Sequence, residues 1–379
     1  MAEAKFLTGS LFRHVTVMSL TASLGLMAVF IVDFVDMIFI SMLGKSELAA
    51  AVGYAGAILF FTTSFGIGLA IAAGALVARA LGAGDEEQAR QRTTHALTYG
   101  FVFSVIFSIG VWLSLDVLVS LLGAQGETAA LAVHFMQIIV PSMPFLILGM
   151  MGGAVLRAHG DARRAMLSTI AGGVVNAVLD PILIFGLNLE LTGAAIASVC
   201  ARLVICGMAL WPLMRIYGGI VRPKVMGMLR DLSPILAIAF PAILAQIATP
   251  VGQAFVTRAM AGYGEEAVAG MAVVGRLTPV AFGVIFALSG AVGPIIGQNF
   301  GAGNIARVRG GFTAAIWFTF VVILLVSALL FGLRGPIADL FEAEGITREL
   351  IYLFCGPLSL AFFFPGVLFV ANAAFNNLG

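Results

Sequence analysis

The stretch VTVMSLTASLGLMAVFIVDFVDMIFISML, residues 15–43, decides how this chain is read, because it is strongly apolar and carries no charge except Asp33 and Asp36. A helix rises about 1.5 Å per residue and a hydrocarbon core is about 30 Å thick, so the run is long enough to cross a bilayer. Lys5 and Arg13 precede it as they would in a signal peptide. The run is too long for a signal-peptide core, however, and reads as a retained first span.

Working outward, comparable runs lie near residues 48–81, 93–122, 128–156, 165–186, 192–214, 233–261, 267–300, 311–333 and 350–375, giving ten spans. Composition agrees: the residues AVILMFWYC make up 61% of 379 positions, DEKR only 10%, and the mean hydropathy is +1.08. These values fit a chain whose solvent is lipid and whose fold is all-α and polytopic. A net charge of +1 gives no electrostatic case for a nucleic-acid partner. Cys200, Cys206 and Cys355 sit in apolar stretches without histidine neighbours, and the four histidines are scattered, so no disulfide framework, metal site or cofactor is indicated. No catalytic constellation and no phosphate-cradling loop of the ATP-driven pumps is present, so the chain reads as no enzyme, powered by an ion gradient or a partner.

With the N-terminus in the cytoplasm, fourteen basic residues fall on that side, from Lys5 and Arg13 through Arg79, Arg90 and Arg157 to Lys224, Arg307 and Arg309. Only Lys45, Arg334 and Arg348 fall on the other. That asymmetry orients a multi-pass protein of the inner, cytoplasmic membrane.

The string Gly82-Ala83-Gly84, with Arg90 following in the next helix, recurs as Gly301-Ala302-Gly303, with Arg309 at the same spacing. Both copies follow the second long run of their half, and each half has a polar turn upstream, Gly44-Lys45-Ser46-Glu47 and Gly264-Glu265-Glu266. Six spans fit in one repeat offset, the step from Gly82 to Gly301, which predicts two parallel helical bundles related by a pseudo-two-fold axis along the membrane normal. The expected organisation is a six-helix lobe over 1–216, a linker over 217–232 and a second lobe over 233–379. Six plus four spans are visible where six plus six are expected. The repeat therefore predicts that the native gene continues for roughly sixty residues past Gly379.

An ionisable group at membrane depth costs at least ~2.5 kcal/mol, so Asp33, Asp36, Asp180, Arg202, Arg258 and Arg276 are functional candidates. Asp36 and Asp33 are one turn apart on nearly the same face of span one. Asp180 precedes Pro181, whose ring frees the carbonyl of Ala177, and Asn176 stands one turn before it. Carboxylate, carboxamide and carbonyl on one face of a kinked helix read as an ion or proton site. Arg258 is near enough to a span end to snorkel, Arg276 lies early in span eight, and Arg202 is expected to pair with an acid.

In these residues the chain resembles the multidrug and toxic compound extrusion (MATE) family. The carriers are Val35-Asp36-Met37, Leu81-Gly82-Ala83-Gly84-Asp85, Leu179-Asp180-Pro181-Ile182, Thr192-Gly193-Ala194-Ala195 and Gly297-Gln298-Asn299-Phe300-Gly301, in order along the whole chain. The resemblance implies a central cavity opened alternately to each side, with drugs exchanged for H+ or Na+. Its DinF-like branch implies that Asp36 and Asp180 bind the coupling ion, supported by Asn176 and Ser198, with Asp33 alongside. Phe135 stands where that branch has a tyrosine. The NorM-like branch instead uses carboxylates in the second lobe, where this chain has Gln246 and Thr249 at that depth of span seven and no acid in span ten. No proline precedes Pro141, so a proline-centred bend of the first helix does not carry over.

The function implied is proton-coupled export of amphipathic small molecules by a monomer. Phe135, Gln246, Thr249 and Arg276 are its candidate cavity residues. The alternatives are sodium coupling, a flippase for a lipid-linked substrate, and a membrane scaffold without transport.

Overall fold

The computed structural model describes residues 4–223, 225–263, 265–341 and 343–378, so Lys224 and Gly264 lie outside the described residues. Every described element is helical. The long helices are α1 (Leu11–Met42), α2 (Ser46–Gly82) and α3 (Glu86–Leu113), followed by short α4 (Leu115–Leu121). Next come α5 (Gly126–Ile139), α6 (Met143–Ala158), α7 (Ala162–Pro181) and α8 (Glu190–Arg215). The remainder holds α9 (Val225–Ala261), α10 (Glu265–Gly301), α11 (Ile305–Leu340), α12 (Gly345–Leu353), α13 (Ser359–Ala361) and α14 (Phe363–Leu378).

Among the described residues nine segments are long and apolar enough to cross a membrane, and a tenth is the pair 345–361 and 363–378, bent by 43°. This is a multi-pass membrane protein, and the spans match the ten read from sequence with three adjustments. Span three ends at Leu113 and α4 turns away from it. Span four is α5 and α6 joined by a 3-10 turn at Val140–Ser142, where Pro141 cannot donate to the helical ladder. Span seven starts at Val225, so the residues 225–232 assigned to the linker are already helical. The large apolar side chains left exposed, such as Leu113 at 72% and Leu121 at 77%, are those a lipid solvent would cover.

The recurring Gly-Ala-Gly string proves to be a structural device. Gly84 and Gly303 adopt φ of 75° and 71°, the left-handed turn that ends a helix cheaply only at glycine. The next residue of each copy caps the following helix: Asp85 accepts from the Gln88 amide at 2.8 Å, and Asn304 from the Arg307 amide at 3.1 Å. The first glycine of each string brings α2 and α10 together. A Cβ on Gly82 would lie 1.9 Å from the Gln298 carbonyl oxygen, and one on Gly301 2.0 Å from that of Arg79. Arg79 and Gln298 are themselves separated by the repeat offset, and the correspondence continues. Arg79 Nε donates to the Asn377 carbonyl at 2.8 Å, and Gln298 Nε2 to the Ala158 carbonyl at 2.8 Å, so the two acceptors are repeat equivalents as well.

The cores interlock in the same reciprocal way. Phe6, Val15 and Met18 are buried with residues of α10, α11 and α14, whereas Ile235, Ile238 and Ala239 of α9 are buried with α2, α3 and α6. The bundle is closed at the end that carries the N-terminus, where Gly297 meets Ala78 and the Gly82 and Gly301 contacts lie. Contact continues to mid-helix, with Gly68 against Ile243 and Gly283 against Met27. Beyond that, a Cβ on Gly53 or Gly56 of α2, Gly252 of α9 or Gly275 of α10 would meet nothing within 4 Å among the described residues. The close approaches between these helices thus stop at mid-bundle, so a cleft between the two halves would open at the end opposite the N-terminus.

Candidate functional site

The acidic site is built on α7. A Cβ on Gly172 would lie 2.3 Å from Ile205 Cγ1 of α8, and one on Gly173 3.0 Å from Val32 Cγ2 of α1. Adjacent glycines therefore let α7 sit between α1 and α8 at distances that a larger residue would widen. Gly25 beside Met166 and Val32 beside Gly173 show that α1 and α7 run parallel, and one turn further Asp36 meets Asn176.

Asn176 Nδ2 donates to Asp36 Oδ1 at 2.9 Å, to Asp36 Oδ2 at 3.1 Å and to Asp180 Oδ2 at 2.7 Å. A carboxamide has only one donor end, so contact with two carboxyl groups fixes its orientation. Asp180 is 0% exposed, Asn176 4%, and Asp36 half-buried. The two carboxyls also lie within hydrogen-bonding reach of each other. Such a bond exists only when one of them carries a proton. Asp180 Oδ1 is enclosed with no partner among the described residues. An enclosed carboxyl oxygen left unpaired is costly, which suits a position that takes up a proton or cation. The α-helical pattern ends at Pro181 and a π-helical turn, Ile182–Gly186, follows directly after Asp180, so the ladder changes where the proline was expected to interrupt it. Lys45 and Glu190, paired at 2.8 Å, tie the α1–α2 turn to the start of α8 beyond the site.

The remaining candidates make no hydrogen bond to this cluster among the described residues. Asp33 is exposed on α1 and Ser198 half-buried on α8, and neither hydrogen-bonds a described residue. Phe135 is 6% exposed and packs α5 within the core it shares with α2 and α8. Gln246 is half-buried and Thr249 exposed on α9, and Arg276 is exposed on α10, all in the second half of the chain. Arg202 bonds no acid among the described residues: its Nη1 donates to the Ile139 carbonyl at 3.1 Å, Ser142 Oγ at 3.0 Å and Met143 Sδ at 3.4 Å. Sequence expectation failed there because main-chain carbonyls can satisfy a guanidinium as a carboxylate can.

The MatE family profile matches residues 21–182 and 241–379, which together cover most of the chain. The chain belongs to the MATE family. It is a membrane transporter of small molecules, and the starts of the two matched segments, at 21 and 241, are separated by nearly the repeat offset. The chain is 30% identical over 366 residues to the FAD transporter of Shewanella oneidensis, covering 95% of this chain and 80% of that protein. It is 27% identical over 345 residues to the multidrug export protein MepA of Staphylococcus aureus, covering 89% and 75%. Among solved structures, the Vibrio cholerae MATE transporter VcmN superposes with a TM-score of 0.92 at 25% identity, over 97% of this chain and 84% of that one.

Within this MATE chain three polar features escaped the sequence reading. His95, 1% exposed on α3, bonds Asp231 of α9 through Nδ1 at 2.6 Å. His159 stacks on Tyr217, whose hydroxyl donates to Asp161 at 2.8 Å. Arg157 lies between α6 and α10. All three sit at span ends, where a polar residue reads as loop. Only the neighbouring helix shows that it is enclosed.

Proposed function

We propose that this MATE transporter is a proton-coupled antiporter of the DinF-like type, exporting amphipathic organic compounds across the inner membrane by alternating access. Asp36, Asn176 and Asp180 form the coupling site. The observation that carries this reading is the single carboxamide shared by two carboxyls, one of them fully enclosed, from helices α1 and α7. A proton held there by the pair is exchangeable when the helices shift, and drug and proton then favour different states of the cleft. The reciprocal contacts between repeat-equivalent residues support two lobes related by an axis along the membrane normal, swinging about the α2–α10 crossing. The basic residues clustered at the closed end support a cytoplasmic N-terminus. The protein acts as a monomer, with Asp33 and Ser198 at the margin of the coupling site and Gln246, Thr249 and Arg276 along the cleft.

In proteoliposomes, a pH gradient without sodium drives ethidium export by the parent protein and fails with Asp36→Asn or Asp180→Asn. Export at parental rates by both variants refutes the site. Export by the parent only under a sodium gradient makes sodium the coupling ion, with the same oxygens as ligands.

A second reading concerns cargo. The relative in Shewanella oneidensis transports FAD, and phosphate-bearing compounds are therefore a substrate class to test beside cationic drugs.

A further inference from the structure

Three arginines set inside the bundle are satisfied by the protein. Arg79 donates to the Asn376 and Asn377 carbonyls, Arg202 to Ile139, Ser142 and Met143, and Arg307 to Asn299 and the carbonyls of Phe6, Thr8 and Gly9. Arg157 is different. Half-buried in the last turn of α6, it makes no hydrogen bond or ion pair with any described residue, and none of its nitrogens is fully enclosed.

Its side chain does not reach forward to the basic end of the bundle. It folds back along α6, with Nη1 3.5 Å from where a Cβ on Gly153 would stand. On the other side, Nε, Cζ and Nη2 lie 3.4, 3.8 and 3.8 Å from the corresponding point on Gly290 of α10. Two glycines from opposite halves thus form a slot for one guanidinium. Gly290 stands about 16 Å of helix before the end of α10. The contacts of Gly297 and Gly301 that close the bundle lie between it and that end. The guanidinium therefore lies inside the seal, on the side where a cleft between the halves would open. The repeat offset maps Arg157 onto Asn376, whose half-buried carboxamide also has no partner among the described residues.

An uncompensated guanidinium at this depth is costly, and its donor fork matches a phosphate. We propose that Arg157, in the Gly153–Gly290 slot at the floor of the cleft, binds the phosphate group of an organic substrate. This rests on the export reading above and adds a charge class to it. An arginine in the last turn of a helix can also be kept for the helix dipole or for packing alone. A purely structural arginine would therefore leave ligand preference flat.

The test uses two fluorescent ligands that differ by one phosphate, riboflavin and riboflavin 5′-phosphate, titrated against the full chain in phosphatidylcholine nanodiscs. The parent protein binds the phosphate at least tenfold more tightly, Arg157→Gln removes the preference, and Arg157→Lys keeps part of it. Equal or absent binding of the two by the parent overturns the proposal, as does a preference that survives in Arg157→Gln. Loss of the preference when phosphatidylglycerol replaces part of the lipid assigns the fork to a lipid headgroup and also overturns it. Ethidium export under a pH gradient is measured on the same parent protein. If export holds while the phosphate preference is missing, only the Arg157 assignment falls; if export is missing, the export reading falls whatever the ligand preference.

Discussion

Gly82→Ala tests how the closed end of the bundle is held. The new methyl would stand 1.9 Å from the Gln298 carbonyl oxygen and 2.6 Å from its carbon. Carbon and carbonyl oxygen approach to no less than about 3.3 Å, so the two helix ends must separate by roughly 1.4 Å. The obstacle is main chain, and Gln298 is further tied to the Ala158 carbonyl, so no rotamer change relieves it. Overpacking of this kind costs about 1–3 kcal/mol. The cost falls only on the state in which α2 and α10 cross, so the equilibrium moves away from that state by about 5- to 150-fold. Spin labels at Ala83 and Ala302, both exposed beside the crossing, report it by electron-electron distance measurement after Cys200, Cys206 and Cys355 are replaced by serine. The short-distance population dominates in the parent and collapses in Gly82→Ala. Gly301→Ala behaves alike, and the double variant costs less than the two summed, because one separation relieves both clashes. An unchanged distance distribution in a folded, inserted Gly82→Ala protein would refute the crossing as the seal.

Two further outcomes follow from the geometry. Asn176→Leu removes the one amide nitrogen that serves both carboxyls, each bond to a charged group being worth about 1.5–3 kcal/mol, so pH-driven export falls at least tenfold. Parental export by that variant would show that the carboxamide is dispensable. Burial holds the His159 imidazole below its ordinary value of 6.5, against the raising effects of the Val155 carbonyl, Asp161 and Glu86. Its neutral form therefore contributes full stability above that value and loses it progressively as pH falls below. Melting temperatures of the purified protein should drop between about pH 7.5 and 5.5, with a shallower drop in His159→Gln; equal slopes would remove His159 from the account.

The apolar runs alone determined that this chain spans a membrane about ten times, because no soluble fold could cover so much hydrocarbon. Asp36, Asn176 and Asp180 were legible for the same reason: polar groups at membrane depth are too costly to be incidental. The repeat was visible as a three-residue string, but its meaning was not. That Gly82 and Gly301 are each pressed against the counterpart of its own neighbour depends on residues of the two halves, far apart in the chain, meeting in space. Local spacing likewise placed Asn176 one turn from Asp180, whereas only the parallel packing of α1 on α7 brought Asp36 to the same amide nitrogen. Arg157 shows the limit most plainly. By sequence it closes a span and reads as one more basic loop residue. Tertiary structure turns it inward, because the glycines that make room for it belong to two different helices, and a sequence does not state which helices will be neighbours.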